Sequence, residues 1–124
     1  AKVTAVEADQ QLAEIATHNL SSTPQIKVVN HDLGLASGAV IEGGPFDAVL
    51  IDGAVFELPP NLAAHLTANA RIAYMLCDRN PIGNTVTRLM KGRVQAGQIA
   101  TESVADIAGA ILPDTAPRSQ FFSF

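Results

Sequence analysis

The stretch Pro45-Phe46-Asp47-Ala48-Val49-Leu50-Ile51-Asp52-Gly53-Ala54 decides how the rest of the chain is read. Phe46, Ala48, Val49, Leu50 and Ile51 make a short, nearly unbroken apolar block, opened by Gly43-Gly44-Pro45 and closed by Asp52-Gly53. A strand covered on both faces has this continuous pattern, whereas a strand with one wet face alternates apolar and polar residues. The block is therefore predicted to be a central strand of a parallel sheet. Open sheets of that kind bind ligands just past the carboxyl ends of their strands, so Asp52, Gly53 and Ala54 are expected to border a site.

Upstream of this block, Lys2 to Val6 reads as a first strand that stops at Glu7-Ala8-Asp9. Asp9 is placed to cap a helix in which Leu12, Ile15, Ala16, Asn19 and Leu20 recur at helical spacing. Ser21-Ser22-Thr23-Pro24 ends that helix, and Ile26 to Val29 reads as a second strand that stops at Asn30-His31-Asp32. Leu33 to Ile41, small and broken by glycine, reads mostly as loop.

Downstream, Pro60 suits the first turn of a helix over Asn61 to Thr67, and Ala70 to Leu76 reads as another largely buried strand. Strands and helices thus alternate as in an α/β parallel sheet with right-handed crossovers. The ending differs. Thr85 to Arg93 and Gln98 to Leu112, separated at Gly97, are predicted to form an antiparallel pair at one sheet edge, followed by an extended tail ending in Phe121-Phe122-Ser123-Phe124. Residues 83–124 are that edge and tail within a single domain spanning 1–124.

The chain of 124 residues is long enough for one core that buries roughly two-thirds of the unfolded surface. Charged residues make up only 16% of it and apolar residues 48%. Ordinary domains carry about 25% charge, so part of this surface is expected to be covered by more chain or by a partner. A net charge of -4 leaves no basic footprint for nucleic acid or for an anionic membrane surface. Cys77 stands alone, which argues against a disulfide or a zinc site. No stretch approaches the roughly 20 apolar residues of a membrane helix, and no secretory leader is evident, so a cytoplasmic protein is expected.

Three acids follow three predicted strands: Glu7, Asp32 and Asp52. A carboxylate at the end of a sheet strand can accept two hydrogen bonds from a ribose, and three on one edge favour a ligand site. Taken singly, Glu7 also reads as a solvated loop acid, Asp32 as a cap, and Asp52 as a turn former with Gly53. His18, His31 and His65 lie in separate elements without metal-ligand spacing; the first and third are expected on helix surfaces. No Gly-x-Ser-x-Gly elbow, Cys-His pair or Gly-x-x-x-x-Gly-Lys loop is present. Arg71, Arg79, Lys91 and Arg93 are scattered and read as solvating charges.

The residues resemble a known family. Val3-Thr4-Ala5-Val6-Glu7-Ala8, Leu12-Ala13, Ala16, Asn19-Leu20, Asp32, Gly44-Pro45-Phe46-Asp47-Ala48-Val49-Leu50 and Glu57-Leu58-Pro59 together are similar to the protein-L-isoaspartate O-methyltransferases. The resemblance runs to about Leu76. It implies a Rossmann-like methyltransferase sheet and S-adenosylmethionine as cofactor. It also implies a protein or peptide substrate, methylated on the carboxylate of damaged aspartyl residues. By this likeness Glu7, with Ala8 beside it, would bind the cofactor ribose. Asp32 and Leu33 would lie beside the adenine, and Asp52, Gly53 and Ala54 would border the methionine end. No residue here is expected to serve as a required acid or base, since methyl transfer from a sulfonium mainly needs alignment.

The sequence departs from the family pattern in lacking the glycine-rich first motif and the segment that holds the peptide substrate. It also has Asp52-Gly53 and Asn69-Ala70 where small neutral residues or two glycines are usual. In a sheet of this kind the strand bearing the first motif lies between those beginning at Lys2 and Phe46. Two unpaired edges are therefore expected, covered in a longer chain by an N-terminal segment or by a second subunit. The alternative is a non-catalytic ligand-binding or interaction module on the same fold, and a nicotinamide-dinucleotide domain is a third reading.

Overall fold

Among the described residues, two β-sheets, one helix and a 3-10 turn form in the order expected of alternating strands and helices. The computed structural model describes residues 1–32, 41–79 and 85–106. Its elements are β1 (Val3–Glu7), α1 (Gln10–Asn19), β2 (Ile26–Asn30), β3 (Phe46–Val55), the 3-10 turn Leu62–His65, β4 (Leu66–Arg79), β5 (Thr85–Gln95) and β6 (Gln98–Asp106). β1 and β2 pair in parallel, with Val3 opposite Ile26 and Glu7 opposite Asn30. The second sheet has the order β3-β4-β5-β6, parallel between β3 and β4 and antiparallel thereafter.

Local chemistry explains several boundaries. Asp9 caps α1, its Oδ1 accepting from the backbone N–H of Leu12 at 3.0 Å. The β5–β6 hairpin closes on Ala96 and Gly97, with φ of 52° and 77°. Two positive φ angles in a two-residue loop match the right-handed twist of the flanking strands. Close approach explains a glycine before β3, where a methyl group on Gly43 would stand 3.0 Å from Thr4 Oγ1 of β1. Nearby, Lys27 of β2 pairs with Glu42 at 3.3 Å.

The core belongs to the second sheet. Val55, Leu62, Leu66, Ala70, Ile72, Tyr74, Met90 and Val94 form one buried cluster, with Phe46, Val49, Ile51, Leu58 and Ile99 packed against it. Each large apolar side chain buried there contributes about 1.5–3 kcal/mol. The β1–α1–β2 unit is thinly packed by comparison. Ala13 is the one buried residue of α1, while Leu12 and Ile15, expected on its covered face, are 54% and 55% exposed.

Two expectations change among the described residues. β3, expected as a central strand, stands at an edge among the described residues: it pairs with β4 alone, the unpaired edge also expected there, and Leu50 is 76% exposed. An apolar run signals potential for burial on both faces, but the covering of one face is a tertiary matter that the run does not contain. The helix expected over Asn61 to Thr67 shrinks to the turn Leu62–His65, and strand pairing begins at Leu66, opposite Phe46. Thr67 Oγ1 donates to Asp47 Oδ1 at 2.9 Å, which ties this segment to β3 and ends the helical path. Asn69 then takes a φ of 66°, a left-handed conformation that asparagine tolerates better than most residues.

The loop expected over Leu33 to Ile41 falls outside the described residues except for its last position. The continuation from Ile107 to Leu112 and the aromatic tail lie wholly outside them. Among the described residues no helix is long and apolar enough to cross a membrane.

Candidate functional site

The candidate site lies where β1 and β2 end together. Because Glu7 opposes Asn30 in the parallel register, the residues following each strand turn at the same end of the sheet. Asn30 Nδ2 donates to the carbonyls of Glu7 at 2.9 Å and of Ala8 at 3.0 Å, and the His31 N–H donates to the Glu7 carbonyl at 3.2 Å. The Glu7 side chain bends back so that Oε1 accepts from the Asp9 N–H at 3.0 Å. Glu7 is half-buried, and its Oε2 has no partner among the described residues. A carboxylate held by one oxygen and open at the other can accept hydroxyl donors, as a ribose-binding acid does.

Asp32 stands at the same end, two residues past the register pair of Glu7. The Nδ1 of His31 donates to the Asp32 carbonyl at 2.9 Å and lies 3.4 Å from Asp32 Oδ2. A carbonyl can only accept, so Nδ1 carries the ring proton. Glu7, Ala8, Asn30, His31 and Asp32 are thus joined by one set of hydrogen bonds. Leu33 lies outside the described residues.

Asp52, Gly53 and Ala54 are placed differently from the expectation. They lie inside β3, which runs on to Val55, and not past its end. The register steps from Leu50 opposite Ala73 to Ala54 opposite Met75, so Ile51, Asp52 and Gly53 face Tyr74 alone. This is a β-bulge, and the buried Gly53 makes it possible with a φ of 135°. Asp-Gly is a turn signal in sequence, but the chain uses it to bend a strand instead of ending one. Asp52 is exposed and Ala54 fully buried. No hydrogen bond or ion pair among the described residues joins Asp52 to Glu7 or Asp32.

Two further residues differ from their reading. His65, expected on a helix surface, is 8% exposed, and its Nδ1 donates to the Asn61 carbonyl at 3.0 Å. Asn30 read only as the end of a strand. The signal that could have identified it is an amide facing Glu7 across a parallel pair, which is visible once the register is known. Among the described residues no group of three or more His, Cys, Asp and Glu could hold a metal ion.

No family model matches the chain, and no curated protein does. Solved structures do. One protein-L-isoaspartate O-methyltransferase superposes on 92% of this chain and 35% of its own, with a TM-score of 0.74 and 16% identity. The fold is that of the protein-L-isoaspartate O-methyltransferases. A candidate enzyme of the same name from Plasmodium falciparum, in complex with S-adenosyl-L-homocysteine, matches 90% of this chain with a TM-score of 0.69 and 19% identity. Matches of that extent take in both sheets, so an α/β methyltransferase sheet with parallel and antiparallel parts describes the whole arrangement. The chain spans 52% and 35% of the lengths of these two methyltransferase structures.

Proposed function

We propose that this chain is the carboxyl-terminal portion of an S-adenosylmethionine-dependent methyltransferase whose acceptor is a carboxylate of damaged aspartyl residues in proteins or peptides. In that reading it is a cytoplasmic repair enzyme. The observation that carries the proposal is Glu7: a half-buried acid at the end of β1, fixed by the Asp9 N–H, with no partner on Oε2 among the described residues. The methyltransferase fold around it, and the S-adenosyl-L-homocysteine bound by the Plasmodium falciparum protein, support the same reading.

The residues fit the nucleoside half of such a cofactor. Glu7 would accept from the ribose hydroxyls, and Ala8 leaves room beside it. Asp32, with Leu33 following, would border the adenine. Asp52, Gly53 and Ala54 would edge the methionine end, with Asp52 the exposed member. When bound, the cofactor supplies an activated methyl group on a sulfonium. The chain's own contribution is to orient and hold the nucleoside, in line with a reaction governed by alignment. The edges of β1 and β3 that are unpaired among the described residues would receive a strand from an N-terminal segment or a second subunit, which would also bring the glycine-rich first motif.

Calorimetric titration of the full-length protein with S-adenosylhomocysteine and, separately, with NAD tests the proposal. Binding of S-adenosylhomocysteine alone is expected. Binding of NAD alone would assign a dinucleotide domain, and binding of neither would leave the interaction module.

A further inference from the structure

We infer that Asn30 is a positioning residue for the cofactor ribose, acting through Glu7; this rests on the reading of Glu7 as the ribose acceptor. The side-chain amide of Asn30 faces two carbonyls, those of Glu7 at 2.9 Å and Ala8 at 3.0 Å. Both are acceptors only, so the nitrogen must face them, and one amide group holds two consecutive peptide units. These are the two units that lead from the last residue of β1 into the cap of α1.

Without Asn30 the Glu7 carbonyl would keep, among the described residues, the 3.2 Å bond from the His31 N–H, and the Ala8 carbonyl would lose the Asn30 bond. The Glu7 carboxylate is fixed from the other side by the Asp9 N–H at 3.0 Å. The segment from Glu7 to Asp9 is therefore clamped from two directions: Asn30 holds the backbone, and the Asp9 N–H sets the direction of the acid. Binding groups work when held within about 0.5 Å of their productive position, and supporting hydrogen bonds of this kind provide that precision. Asn30 itself is exposed and makes no contribution to the apolar core, which separates a positioning role from a packing one.

The test is a double-mutant cycle on the full-length protein, read as S-adenosylhomocysteine affinity by calorimetry together with the melting temperature. Asn30→Ala is expected to weaken binding about tenfold, the equivalent of one to two lost hydrogen bonds. Asn30→Ser, which keeps one donor, should fall between wild type and Asn30→Ala. It also serves if the alanine variant folds poorly. In a Glu7→Ala background Asn30→Ala should cost almost no further affinity, because the two residues act as one unit. Wild-type affinity in Asn30→Ala overturns the inference, as does an equal loss with and without Glu7. If the unmodified protein fails to bind S-adenosylhomocysteine, the ribose reading itself fails and this inference falls with it.

Discussion

The backbone N–H of Asp9 donates to Glu7 Oε1 at 3.0 Å, while the carboxylate of Asp9 caps α1 through the Leu12 N–H at 3.0 Å. One residue thus orients the acid of the site with its backbone and starts the helix with its side chain. The two functions can be separated by mutation. Asp9→Ala removes the cap and keeps the N–H, so it should cost about 0.5–2 kcal/mol of stability in urea denaturation. S-adenosylhomocysteine affinity of the full-length protein should stay unchanged. Glu7→Ala should do the reverse, lowering affinity with little change in the denaturation midpoint. Loss of affinity in Asp9→Ala would mean that the helix cap, and not the backbone donor, sets the site.

Gly53 is buried in the bulge of β3 with a φ of 135°, a conformation closed to residues with a side chain. Gly53→Ala is expected to destabilise the chain by about 1–3 kcal/mol, from backbone strain, in chemical denaturation. Ala54, its neighbour, is fully buried opposite Met75, so the register on that side should slip or the bulge should open. A variant as stable as the parent would show that the bulge is not required for pairing.

Much of the fold was legible because short-range chemistry governs it. Strands at Lys2 to Val6 and Ile26 to Val29 and the Asp9 cap were all readable from β-branched runs and a polar residue at the right offset. The structure shifts the first by one residue, to Val3–Glu7, and extends the second to Asn30. Illegible features depend on partners distant in sequence. Leu50 sits in an apolar run yet is 76% exposed, because the run cannot tell which of its faces is covered. Asp52-Gly53 looked like a strand end because the same pair makes turns; only the pairing of Ala54 and Val55 with β4 shows that the strand continues. The candidate site was half legible in position. Glu7 and Asp32 are readable as acids at strand ends, whereas the bonds of Asn30 follow only from its lying opposite Glu7.

Arg71 and Arg93 stand directly opposite on β4 and β5, both exposed and without an acidic partner among the described residues. Like charges in a cross-strand pair are destabilising, while opposite charges contribute roughly 0.2–1 kcal/mol. Arg71→Glu should therefore raise stability by about that amount in low salt, and the gain should shrink as salt screens the pair. An unchanged midpoint at low ionic strength would place the two guanidinium groups out of reach of one another.

The most direct measurement is a crystal structure of the full-length protein with S-adenosylhomocysteine bound. The ribose hydroxyls are predicted to lie within hydrogen-bond distance of Glu7, about 2.6–3.2 Å, with Asn30 still on the Glu7 and Ala8 carbonyls. A nucleoside bound away from the ends of β1 and β2, or a Glu7 carboxylate turned to solvent beside a bound ribose, would contradict the assignment.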